Sequence, residues 1–171
     1  MNHQAHQGHQ EIGEDLDRLA RSIVDSGLKV HKALGPGLLE SAYEHCLAYE
    51  LSERGIAIKR QVPLPIIYAG ATLDAGYRLD LIAANSIIIE IKAVESLTRL
   101  HEAQMLTYLK LSGFRLGFLM NFNVPLFKSG VRRMALCLGA LGVLGGKSIR
   151  ADKRSHSPLQ SRQNSRIHAG S

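Results

Sequence analysis

The chain has 171 residues, enough for one domain with a single hydrophobic core and flanking segments. Lys and Arg number 21 against 15 Asp and Glu, a net charge of +6, but the excess is unevenly placed. Residues 1–127 hold 12 basic and 14 acidic side chains, whereas residues 128–171 hold 9 basic ones and Asp152 alone, so the basic balance does not mark the core as a nucleic-acid surface. Two cysteines, Cys46 and Cys137, have neither metal-ligand nor disulfide-framework spacing and point to a reducing compartment. Residues 1–10 lack the apolar stretch of a secretory leader, and the longest apolar run, 135–144, falls far short of the ~20 residues that span a bilayer. A soluble cytoplasmic protein without membrane contact is expected.

In chain order, residues 1–13 form a His/Gln-rich lead in which His3, His6 and His9 bind metal weakly at most, and disorder is expected there. Apolar residues then recur at helical spacing from about 14 to 34, until Gly35-Pro36-Gly37 breaks the pattern. A second helix is predicted over 38–54, ended by Gly55. Residues 56–68 read as a strand zone whose Pro63 and Pro65 suit an edge or a bulge. Two further strands follow around Asp80 and Glu90, a helix over 99–111 ended by Gly113, and an apolar strand over 114–121. A last helix is expected over 125–138, and residues 139–171 read as a basic, disordered tail. The domain proper is thus 14–138. Its order, α–α–β–β–β–α–β–α, implies an α/β sandwich with a mixed sheet, the crossover between the last two strands bringing a fourth strand in parallel.

The most informative segment is Tyr77-Arg78-Leu79-Asp80-Leu81-Ile82 followed by Ser86-Ile87-Ile88-Ile89-Glu90-Ile91-Lys92. Ala83-Ala84-Asn85-Ser86 between them supplies a polar turn, so the two runs read as a hairpin. A turn centred near Asn85 sets Asp80 opposite Glu90, with Cβ atoms roughly 4.5–5.5 Å apart. Lys92, two residues on, projects from the same face as Glu90. Two carboxylates and an ammonium are thereby gathered on otherwise apolar strands, where unpartnered charges are costly. An ordinary cross-strand ion pair would explain them; so would a divalent cation held by both acids.

Gly37-Leu38-Leu39-Glu40-Ser41-Ala42-Tyr43 has the form GxxExxY, and the chain resembles the family named for that motif. The likeness runs from about residue 23 to 133 and includes His31-Lys32-Ala33-Leu34-Gly35-Pro36-Gly37 and Asn121-Phe122-Asn123-Val124-Pro125. That family is assigned to the PD-(D/E)XK nuclease superfamily. The resemblance implies a PD-(D/E)XK nuclease-like sandwich, a mixed four-stranded sheet flanked by helices with core order α-β-β-β-α-β. It further implies a Mg²⁺ (or Mn²⁺) site in which Glu40 is the helix acid, Asp80 the central acid, and Glu90 and Lys92 the ExK. Gln104 and Tyr108, four apart on one helix face, match its QxxxY helix. Leu79 stands where some members carry proline.

The expected activity is therefore metal-dependent cleavage of a phosphodiester in nucleic acid, DNA or RNA being undetermined. Asp80, Glu90 and the Ile91 carbonyl would hold the ion, with Glu40 directly or through water. Lys92 would orient or deprotonate the attacking water, or neutralise developing charge. Glu40, Gln104 and Tyr108 complete the catalytic set. The alternative is an inert nuclease fold that binds nucleic acid or a protein partner.

Overall fold

A computed structural model describes residues 3–74 and 76–136, giving only the backbone for residues 3–12. The expected tail, 139–171, lies outside the described residues. Helix α1 spans His3–Leu34 and helix α2 Glu40–Glu53. Strands β1 (Ile58–Pro63), β2 (Ile66–Tyr68), β3 (Ala71–Leu73), β4 (Arg78–Ala83) and β5 (Ile87–Lys92) follow. Helix α3 (Arg99–Ser112), strand β6 (Leu116–Asn121), a 3₁₀ turn (Phe127–Gly130) and strand β7 (Val131–Ala135) complete the described elements.

Helix α1 begins well ahead of the expected start near residue 14. Its lead contains no proline, and the lone glycines at 8 and 13 each cost a helix only about 1 kcal/mol. The second difference lies at the other end. In place of a helix over 125–138, the chain makes a 3₁₀ turn and then β7, which pairs antiparallel with β6. The main sheet therefore has five strands, in the order β1-β4-β5-β6-β7, and not four. Gly130 sits against the backbone oxygen of Asn121, where any Cβ would collide, so glycine is what lets the 3₁₀ turn pass this close to the end of β6. Laying 131–135 along β6 then satisfies backbone groups that an edge would leave unpaired.

The sheet is mixed: β4 runs antiparallel to both β1 and β5, while β5 and β6 are parallel across the α3 crossover. Pro63 ends the edge strand β1, where the missing N–H costs no ladder bond. On β5, Ile87, Ile89 and Ile91 pack with Ile23, Leu47 and Leu51 of α1 and α2. Ile88 faces the other way, against Met105 and Leu109 of α3. By the same alternation, Glu90 and Lys92 belong to the α3 face. Each buried Ile contributes about 1.5–3 kcal/mol, so this strand can carry its two charges and remain in the core. Close approach of α3 to the sheet needs Gly117, because a Cβ there would lie 2.6 Å from the Met105 sulfur.

Tyr43 explains much of the Gly-Pro-Gly segment. Its hydroxyl donates to the Gly35 carbonyl at 2.6 Å and accepts from the Leu38 N–H at 3.1 Å, and its ring stacks on Phe122 at 4.6 Å. Gly37 supplies the positive φ of 104° that lets the loop fold back onto α2. His31 is structural as well: its Nε2 donates to the Val124 carbonyl at 2.7 Å, and the ring leans on Phe127. Lys29 and Arg54 both reach the Glu50 carboxylate, tying α1 to α2.

Tyr43→Phe removes one buried hydroxyl and leaves the Gly35 and Leu38 backbone groups without a partner. We expect a loss of about 1–3 kcal/mol in urea unfolding with an unchanged m value. An unaltered midpoint would show that the hydroxyl does not brace the loop.

Candidate functional site

The β4–β5 ladder pairs Leu81 with Ile89, Ile82 with Ile88 and Ala83 with Ile87. Ala84 and Asn85, both at positive φ, make the tight turn that sets this register. One step beyond the last pair, Asp80 stands opposite Glu90. The Asp80 Oδ2 accepts from the Ile91 N–H at 2.8 Å, and Oδ1 accepts from Gln61 Nε2 at 3.4 Å. Glu90 is only 4% exposed. Its Oε1 accepts from Lys92 Nζ at 2.8 Å, while its Oε2 is buried without a partner among the described residues. Leaving such an oxygen unsatisfied costs about 1–3 kcal/mol or more for a charged group.

Electrostatics follow from this burial. Desolvation, then repulsion from Asp80, pushes the Glu90 carboxyl up to about 7. Asp80 is raised as well, chiefly by burial, against the pull of the Ile91 N–H and Lys92. Burial works to depress Lys92, but the Glu90 carboxylate and its hydrogen bond outweigh it and hold the amine above its usual value. Lys92 therefore stays charged, and Glu90 is the group that titrates near neutrality.

The remaining predicted residues come from both sides. Glu40, in the first turn of α2, accepts from the Ala93 N–H at 3.0 Å, bridging that helix to the end of β5. Gln104 Nε2 donates to the Tyr108 hydroxyl at 2.6 Å. Burial and the nearby Glu90 charge raise the Tyr108 phenol, so it remains a hydroxyl and keeps an O–H to donate. A cleft of about 610 Å³ is lined by Glu40, Lys92, Gln104 and Tyr108, with Tyr77 and His101 on its walls. Thr98 caps α3, and its N–H donates to His101 Nδ1, which leaves the proton of a neutral His101 on Nε2. Asp80 and Glu90 do not line this cleft. A second hollow of about 550 Å³, on α1 around Leu28 and Lys32, lies elsewhere and gathers no converging acids.

Three residues at the site are not among those predicted for it from the sequence. Glu44, buried on α2, accepts from Arg60 Nε at 2.9 Å and from Gln61 Nε2 at 2.7 Å. Gln61 holds φ at 49°, a backbone conformation that costs a non-glycine residue about 1–3 kcal/mol, and it links Glu44 to Asp80. Asn121, fully buried, accepts from the Val94 and Asn123 N–H groups and donates to the Val94 carbonyl, pinning the chain just after Lys92. Glu44 was legible as the residue one turn beyond Glu40. Gln61 lies across the β1–β4 ladder from Asp80, and only pairing of that edge strand reveals it.

Among the described residues, no three His, Cys, Asp or Glu side chains are gathered tightly enough to cage a metal, and Glu40 is engaged by the Ala93 N–H. A pair of acids suffices for Mg²⁺, which keeps several waters and commonly takes one or two protein carboxylates plus substrate oxygens. The orphaned Glu90 Oε2 beside Asp80 fits such an ion. The profile of the PD-(D/E)XK nuclease superfamily matches residues 17–134, and the chain belongs to that superfamily. Members of that superfamily are usually nucleases and typically use divalent metals. No curated protein and no solved structure matches the chain. Among the described residues, no helix is long and apolar enough to cross a membrane.

Because folding raises Glu90 from 4.5 to about 7, its stabilisation is fully present below 4.5 and is lost as pH rises through about 7. Thermal midpoints of the metal-free protein should fall across that window. Glu90→Gln, which cannot ionise, should flatten the profile; a parent curve already flat from 4.5 to 7 would contradict the burial argument.

Proposed function

We propose that the chain is a divalent-metal-dependent phosphodiesterase acting on nucleic acid, of the GxxExxY type within its superfamily. The observation that carries this reading is the buried, unpartnered Glu90 Oε2, set opposite Asp80 and two residues from a charged lysine. Asp80 and Glu90 would hold Mg²⁺ or Mn²⁺, helped by the Ile91 carbonyl and, through water, by Glu40. A cation there would polarise the scissile phosphate and acidify a water.

The protein's own groups do the rest. Asp80 is held by the Ile91 N–H and by Gln61, so its carboxylate needs little reorganisation. Lys92, kept charged by Glu90, suits stabilisation of the negative charge that builds on the phosphoryl oxygens better than it suits proton abstraction. Gln104 orients the Tyr108 hydroxyl, which donates towards a phosphate oxygen in the cleft. Water attacks phosphorus, one ester P–O bond breaks, and the departing oxygen takes up a proton. The rival reading is an inert binding module, favoured by the 2.8 Å Lys92–Glu90 ion pair, which satisfies half of the Glu90 carboxylate without metal.

Calorimetry with Mn²⁺ and cleavage of labelled DNA and RNA separate the two. Asp80→Asn and Glu90→Gln preserve shape and should each abolish Mn²⁺ binding and cleavage together. Lys92→Ala should retain Mn²⁺ while turnover falls about 10²-fold or more. A purified parent that neither binds Mn²⁺ nor cuts any strand would leave the inert module standing.

A further inference from the structure

The cleft beside the acids is unlike a surface built to grip duplex phosphates. Among the described residues lining it, Lys92 is the single Lys or Arg, enough for one phosphate and not for several. Duplex binding draws most of its affinity from several phosphate contacts. Half of its lining is instead large apolar or aromatic side chains: Ile66, Val94, Leu100, Leu111, Tyr77 and Tyr108. Tyr77 packs edge-on against Tyr108, with ring centroids 6.1 Å apart and planes at 66°, and it remains 43% exposed. Much of its side chain therefore remains open to a ligand.

The β2–β3 ribbon extends this surface. It forms a separate two-stranded sheet whose register sets Tyr68 opposite Ala71 and Ile66 opposite Leu73. Ile66 reaches the cleft, and Tyr68, two residues on, shares its face. Tyr68 is 70% exposed and Leu73 47% exposed. Exposed apolar side chains continuous with a cleft are a surface on which a flat ligand can rest. Leu100, at the mouth of the cleft, is 76% exposed.

We propose that this cleft takes an unpaired strand, a nucleotide base stacking on Tyr77 with Tyr68 continuing the platform, while the phosphate next to it reaches Lys92. The assignment rests on the nuclease reading for the chemistry and adds the class of substrate. Bases present π faces only when unpaired, and stacking accepts either sugar. The volume of about 610 Å³ lies within the ~300–1,000 Å³ of sites that enclose a small organic group. A base in a duplex would have to be extruded before it could enter.

The test is binding by the full chain, read by fluorescence anisotropy in EDTA, so that no cleavage enters. Labelled single-stranded DNA and RNA are compared with the same sequences annealed into blunt duplexes, at salt high enough to screen contacts from the basic residues beyond 128. The parent should bind single strands of at least one sugar more tightly than duplex. Tyr77→Ala should weaken single-strand binding roughly tenfold, as loss of one stacked base implies, and leave duplex binding unchanged. Tyr77→Phe should restore it, and Tyr68→Ala, at an exposed site that cannot unfold the domain, should weaken it several-fold. Equal or tighter binding of duplex, no binding at all, or single-strand affinity indifferent to both alanine variants would overturn the assignment. Mn²⁺-dependent cleavage, run in parallel, reports on the nuclease reading alone: cutting of duplex with no effect of Tyr77→Ala would sink the substrate class and spare the chemistry.

Discussion

The antiparallel register of β4 on β5 sets Asp80 opposite Glu90 on strands made mostly of isoleucine and leucine, and the rest of the site is arranged around that opposition. Two acids brought together in a low-dielectric setting repel and lose hydration. The structure answers with one ammonium, Lys92, one backbone donor, the Ile91 N–H, and one strained glutamine. These leave one Glu90 oxygen without a partner among the described residues. The sheet tolerates this because β5 is buried on both faces, with helices α1 and α2 on one side and α3 on the other. Apolar burial along the strand offsets what the charges cost.

Helix α2 joins the sheet at two points one turn apart. Glu40 meets the N–H that follows β5, and Glu44 meets the Arg60–Gln61 corner of β1. The Tyr43 hydroxyl between them clamps the loop that begins the helix. The GxxExxY pattern thus divides by purpose: the glycine and the tyrosine shape the loop, and the glutamate faces the site. Asn121 does at the end of β6 what Tyr43 does ahead of α2, fixing the segment after Lys92 with two hydrogen bonds to Val94 and its own turn with a third from the Asn123 N–H. This bracing holds the half-buried Asp80 and the buried Glu90 beside a cleft lined in part by Tyr77 and Tyr108.

Much of this was legible in the amino-acid order. Period-two and continuous apolar runs, broken by Gly and Asn, determined β4, β5 and β6, and the polar turn at Asn85 determined which residues oppose. Gly35-Pro36-Gly37 and Gly113 marked helix ends correctly, and Gln104 with Tyr108 shared a face because helical spacing requires it. These are local properties, set within about ten residues of chain.

What the chain alone did not determine depends on partners distant in sequence. Residues 131–135 could serve a helix or a strand; the open edge of β6 made them a strand, because unpaired backbone groups there would go unsatisfied. Gln61 acquired its role only when β1 aligned with β4, and Glu44 only when α2 packed over that corner. The burial that raises Glu90 to about 7 arises only in the assembled sheet, where β6, with Leu119 beside Glu90, lies nearly thirty residues further along the chain. Composition, spacing and turn residues therefore decided which groups would meet. Desolvation, a property of the packed whole, decided what those groups are able to do.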